Sequence, residues 1–114
     1  MDMTTLTIDI GDFESIKARL CSGKPDSTPR YTFPSAEAMA RTLTPGRWGL
    51  LAALTGSGYM GVRELARHLG RDVRAVHADA QALVLCGLVD KSEDGKLHFP
   101  YDAVHVDFML KEAA

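Results

Sequence analysis

Apolar side chains recur at Val62, Leu65, Ala66 and Leu69. This is the i, i+3, i+4, i+7 spacing of one helix face. Gly70 closes that pattern, and Asp72 stands where the next helix needs a capping side chain. A second stripe follows at Val73, Val76, Ala80, Leu83 and Val84, and it runs to Cys86 before Gly87. A glycine just past a helix supplies the left-handed exit. The pattern over residues 61–89 therefore predicts two helices meeting at a tight Gly70-Arg71-Asp72 corner, a helix-turn-helix. Gly61 opens the first of them, where Ser or Thr would cap better.

The flanking segments read with the same rules. Thr5-Leu6-Thr7-Ile8-Asp9-Ile10 alternates apolar and polar positions and predicts a strand. Asp12 is a candidate cap for a helix with Phe13, Ile16 and Leu20 on its apolar side, closed by Gly23-Lys24-Pro25. Residues 24–34 contain Pro25, Pro29 and Pro34 and read as a linker. Ser35 is placed to cap a short helix over 36–43. Thr44-Pro45 opens another, to about Leu54, with Trp48, Leu51 and Leu54 on its buried side. Residues 88–91 and 96–99 flank Ser92-Glu93-Asp94-Gly95, a hairpin turn signal. Residues 103–110 alternate again through Val104, Val106 and Phe108, a third strand. Helices followed by a hairpin is the order of a winged helix.

A chain of 114 residues with 46% apolar content suits a packed domain with some accessory structure. The net charge of -2 does not describe a globally basic protein, but charge is unevenly spread. From Arg41 to His77 the basic residues are 41, 47, 63, 67, 71 and 74, and the acidic ones are only 64 and 72. Such a bias is a modest footprint for phosphate. Cys21 and Cys86 show no C-x-x-C spacing and read as reduced thiols of a cytoplasmic protein, with Cys86 in or near the core. No signal-peptide pattern and no apolar run near the length of a membrane span, about 18 residues, is present.

At about 100° per residue, the helix beginning at Asp72 turns Arg71, Arg74, Ala75, Ala78 and Ala82 away from its apolar stripe. Gln81 falls at the margin, and His77 falls closer to the buried edge. Small alanines let a backbone approach a major groove, and arginines reach guanine edges or phosphates. The candidate readers are Arg71, Arg74, Ala75, His77, Ala78 and Gln81. Arg47, Arg63 and Arg67 lie in first turns or one turn on, and each reads equally as a phosphate contact or a plain surface charge. Lys91 and Lys96 flank the hairpin as further phosphate candidates, while Glu93 and Asp94 at its tip repel phosphate.

Other chemistries are poorly served. His68, His77, His98 and His105 lack ligand spacing, and no cysteine stands near them in sequence, so no metal and no cofactor is expected. Gly56-x-Gly58-x-x-Gly61 spells a dinucleotide fingerprint but follows a helix rather than a strand, and it reads as a turn. No nucleophile, base and orienting group can be assembled, so an enzyme is not expected.

The segments LTPGRWGLLAAL and VRELARHLGRDVRAVHADAQALVLCGLVDKSEDGKLHFPYDAVHVDF resemble a prokaryotic family of winged-helix regulators related in architecture to MarR-type proteins. The resemblance spans residues 33–108. It rests on Leu43-Thr44-Pro45, Leu69-Gly70-Arg71-Asp72, Val76-His77-x-Asp79, the Asp94-Gly95 turn and Phe99-Pro100-Tyr101-Asp102. Residues 1–34 resemble the leader of that family more loosely. The resemblance implies DNA binding in the cytoplasm. It also implies the antitoxin of a TumE-type toxin–antitoxin pair, which binds its cognate toxin and its own promoter. On the matched motif, Asp72 and Asp79 are implied as cap and ion-pair partners rather than base readers.

The expected fold class is α+β, a winged helix-turn-helix over residues 35–114 with an N-terminal strand-helix extension and linker over 1–34. The expected function is a sequence-specific transcriptional regulator that binds double-stranded DNA as a homodimer, with a cognate toxin as a further partner and no membrane. The strand at residues 5–10 is the candidate for joining protomers or for pairing with residues 103–110. Two alternatives stay open: a protein-interaction module working through residues 1–34, and a ligand-responsive repressor.

Overall fold

In the computed structural model, which describes residues 4–11 and 29–108, the strand predicted at the N-terminus forms as β1 (Thr5–Ile10). Leu6 and Ile8 point into the core, as the alternation requires. β1 is the middle strand of a three-stranded sheet, with β2 (Arg30–Phe33) on one side and β5 (Ala103–Asp107) on the other, both parallel to it. The pairing with β5 matches one of the two roles expected for this strand. Both of its edges are occupied, so β1 offers no edge for joining protomers.

β2 corrects the linker reading of residues 30–33. Pro29 and Pro34 bracket the strand rather than interrupt it, so their missing N–H groups cost the ladder nothing. Within it, Phe33 enters the core. Asp9 on the central strand is buried, 6% exposed, and its carboxylate is satisfied by β2. It accepts from the Arg30 guanidinium and from Thr32 Oγ1 at 2.6 Å. A buried carboxylate is stable only with such partners. Their positions on a strand distant in sequence could not be read from the alternation. The predicted helix over residues 12–23, the first part of the linker and residues 109–110 lie outside the described residues.

Among the described residues the rest of the chain forms four helices and a two-stranded hairpin, so the protein is a small α+β fold. The helices are α1 (Ala36–Thr42), α2 (Pro45–Leu54), α3 (Val62–Leu69) and α4 (Val73–Leu85). Predicted caps close three of their N-termini. Ser35 accepts from Ala38 N, Thr44 from Arg47 N and Asp72 from Ala75 N. α3 begins at Gly61 without a side-chain cap. The hairpin is β3 (Asp90–Lys91) and β4 (Leu97–His98), shorter than predicted. Met60, just before α3, exchanges backbone bonds with Leu97 at 2.9 and 2.8 Å and extends the ladder on its other side. None of the described helices is long and apolar enough to cross a membrane.

One hydrophobic core joins these parts. Leu6, Ile8 and Phe33 from the sheet meet Leu50, Leu51 and Leu54 of α2, Leu65 of α3, Val76 and Leu83 of α4, and Leu97 and Phe99 after the hairpin turn. Leu50 is fully buried, and Trp48 is only partly buried against the core. Val73, expected inside, is 42% exposed in the first turn of α4. Cys86 is half-buried at the end of α4.

Among the described residues, a polar bond ties the sheet to the end of α4. Tyr31 of β2 donates its hydroxyl to the Cys86 carbonyl at 2.6 Å. Burial, and then the Cys86 thiol beside it, push the Tyr31 pKa from 10.0 up to about 12. A folded pKa above the ordinary one means that this stabilisation is complete below pH 10 and is lost as pH rises toward 12. In an absorbance titration of the phenols, Tyr31 is expected to ionise late, and Tyr31→Phe to remove that late component. The same substitution should cost about 1 kcal/mol in denaturant unfolding at neutral pH. A variant as stable as wild type, with the late component retained, would contradict this assignment.

Candidate nucleic-acid interface

The corner between α3 and α4 forms because two residues force it. Gly70 adopts φ 65°, a left-handed backbone conformation that other residues resist. Its neighbour Arg71 donates its backbone N–H to Ala66 O at 3.0 Å, closing the end of α3. Asp72 then caps α4 one residue later. The turn is therefore fixed by backbone bonds before any long side chain contributes.

α4 packs on both α2 and α3. Val76, Ala80 and Leu83 are buried against them, and Arg74, Ala75, His77, Ala78 and Gln81 are exposed. His77 is exposed, and it also borders a cavity with buried Ala80 and Leu97, toward the edge of the apolar face. It shares one stripe with Arg74, Ala78 and Gln81, and Leu85 at the end of that stripe is 80% exposed.

The remaining candidates divide into two groups. Arg47 and Arg71 turn inward onto Asp79 of α4. Arg47 Nε lies 3.3 Å from one carboxylate oxygen, and an Arg71 terminal nitrogen lies 2.9 Å from the other. Each arginine has a second anchor. Arg71 donates to Gly46 O at 3.2 Å, and Arg47 donates to Thr42 O at 2.9 Å. One carboxylate of α4 is thereby clasped to the end of α1, the start of α2 and the α3–α4 corner. Gly46 lies under this clasp. A Cβ there would stand 3.0 Å from Asp79 Oδ2 and 3.1 Å from an Arg71 nitrogen.

Arg63, Arg67 and Arg74 form the other group. They are exposed and line one open depression at the corner, with Val73 between the two helices. Bringing these guanidinium groups together, with only the capping Asp72 and the clasped Arg71 beside them, concentrates positive charge where two helices meet.

The hairpin presents Lys91 and Lys96, both exposed. Only Lys91 reaches α4, where it lines a 140 Å³ cavity with His77, Gln81 and Leu97. Lys96 lies in the turn, whose tip is acidic. The Ser92 hydroxyl donates to the Asp94 carboxylate and holds its pKa below the usual carboxylate value. The turn itself closes through Ser92 N to Lys96 O at 2.8 Å, with Gly95 at φ 85°. His98 is stacked on Tyr59, with ring centroids 4.3 Å apart. Among the described residues no three His, Cys, Asp or Glu side chains gather as metal ligands would.

The corner, the cap and the outer face follow from the sequence pattern, and the family resemblance implies Asp79 as an ion-pair residue. Gly46 and the inward turn of Arg47 and Arg71 were not foreseen. A glycine inside a helix is the available signal, since it costs about 1 kcal/mol against alanine and so points to a packing reason.

The HVO_A0114 family model matches residues 42–106, more than half of the chain, and the chain belongs to that family. The match runs from the end of α1 into β5 and takes in Arg47, Arg71 and Asp79 of the clasp. No curated protein and no solved structure matches the chain.

The two glycines of α2 should respond in opposite ways to alanine. Gly49→Ala meets open space and should stabilise by about 0.5–1 kcal/mol through helix propensity. Gly46→Ala must push apart side chains that pin each other, and it should cost about 1–3 kcal/mol. Denaturant midpoints of the two variants check this; equal shifts of the same sign would contradict the clasp.

Proposed function

We propose that the chain is a sequence-specific DNA-binding transcriptional regulator built as a winged helix, with α4 as recognition helix and β3–β4 as wing. The observation that carries the reading is the exposed stripe of α4. Ala75 and Ala78 sit among Arg74, His77 and Gln81, beside the Arg63 and Arg67 depression. Small side chains admit the helix backbone into a major groove, and the polar residues around them reach base edges. In this reading Arg74 and Gln81 read, with His77 beside them. Arg63 and Arg67 hold phosphates. Arg47 and Arg71 are positioning residues that fix the angle of α4. Lys91 touches DNA at the root of the wing, and the acidic turn keeps Lys96 and the tip away from it.

A single reading head spans one half-site, so the regulator binds as a homodimer on a two-fold site. The resemblance to TumE-type antitoxins adds a cognate toxin as a second partner, tested by co-purification with the product of the adjacent gene.

On a fragment of the chain's own promoter at fixed salt, Arg63→Ala with Arg67→Ala and Arg74→Ala should lower affinity at least tenfold. The slope of log K against log salt should fall by about 0.9 for each phosphate that the variant no longer neutralises. Thermal midpoints should stay close to wild type, because the three side chains are exposed. Unchanged affinity and unchanged slope would sink the reading. Arg71→Ala is a poorer probe, since it also opens the clasp.

A further inference from the structure

β5 is an edge of the three-stranded sheet, and among the described residues no strand covers its outer side. Ala103 N donates to Thr4 O, so Ala103 turns its peptide groups toward β1, and His105 and Asp107 follow by strand alternation. Val104, Val106 and Phe108 therefore aim their N–H and C=O groups outward. Val106 is 40% exposed and Phe108 is 45% exposed. An edge with free peptide groups and exposed apolar side chains is a template for another strand. The opposite edge, β2, is blunted by Pro29 and Pro34 at its ends.

We propose that this edge is the homodimer interface, and that its occupant is β5 of a second copy, antiparallel, with the two-fold axis at Val106. This deepens the dimer part of the proposed function and is independent of its DNA surface.

Three observations select that partner and that register. The peptide groups fit, because Val106 faces its own copy and Val104 faces Phe108 of the second copy as hydrogen-bonded pairs. The charges fit too: His105 comes opposite Asp107 of the second copy, and Asp107 opposite its His105. Moving the axis by one residue puts His105 against His105 or Asp107 against Asp107, like residues directly opposite.

The third observation is shape. Val104 lines a 320 Å³ apolar groove with Trp48, Leu51, Ala52 and Thr55. In the proposed register, Phe108 of the second copy stands across from Val104, at the mouth of this groove. The exposed phenyl ring and the groove that takes it lie on one surface related by one axis, as an isologous interface requires. The sheet then continues as β2-β1-β5 joined to β5-β1-β2 of the second copy.

The test uses the full chain without DNA. Wild type should sediment as a dimer at micromolar concentration. Val106→Pro removes an N–H that serves only the outer edge, so it should raise the dissociation constant at least tenfold and leave the circular dichroism of the fold unchanged. Val106→Cys should form an intermolecular disulfide under mild oxidation, since directly opposed residues lie about 5.5 Å apart. His105→Cys should not, because residue 105 stands diagonal to its own copy. Peptide mapping separates these bridges from any at Cys21 or Cys86. A monomeric wild type would overturn the inference and the dimer reading together. A dimer that Val106→Pro does not weaken would overturn the inference alone. If Val106→Pro fails to fold, the mapped bridge decides: its presence at residue 106 supports the register, and its absence overturns it.

Discussion

The ion pairs at Asp79 are the constraint on which the geometry of this protein depends. α4 could roll or tilt over the apolar surface of α2 and α3 at little cost, since hydrophobic contact is not directional. Two guanidinium groups on one carboxylate remove that freedom, because each must meet a separate oxygen in a fixed fork. The side chains are 20–32% exposed, partly shielded from water. They should therefore contribute more than a surface pair, for which about 0–1 kcal/mol is usual. Removing Asp79 would also leave two like charges facing each other.

The clasp explains how arginines so close in sequence take different work. Arg71 and Arg74 are three residues apart, yet one is folded back onto Asp79 while the other stands on the outer face. The inward pair makes the head rigid. The outward group gathers exposed positive charge, which the proposed function assigns to phosphate. A net charge of -2 is compatible with this division, because phosphate responds to the local field. In the proposed function, the acidic turn of the hairpin limits DNA contact to α4 and the corner.

Much of this was legible in the chain. The helix stripes, the Gly70 corner, the Thr44 and Asp72 caps and the Ser92–Lys96 turn follow from local rules, and local bonds form them. What stayed hidden depends on partners distant in sequence. β2 lay among prolines, and its reason to exist is Asp9, 21 residues before Arg30. The pairing of β1 with β5, nearly a hundred residues on, was one of two roles open to that strand, and alternation alone could not choose between them. The inward turn of Arg71 depends on Gly46, 25 residues earlier, having no side chain in the way. Periodicity assigns residues to faces, but it does not say which charge on a face will find a carboxylate.

Asp79 orients the helix proposed to read DNA, and Asp79→Asn tests this most directly. The substitution keeps the shape and removes a negative charge, so simple electrostatics favours tighter binding to a polyanion. The clasp requires the opposite. Titrated against a promoter fragment at fixed salt and below its unfolding midpoint, the variant should bind at least tenfold more weakly than wild type. Binding as tight as wild type, or tighter, would contradict the account.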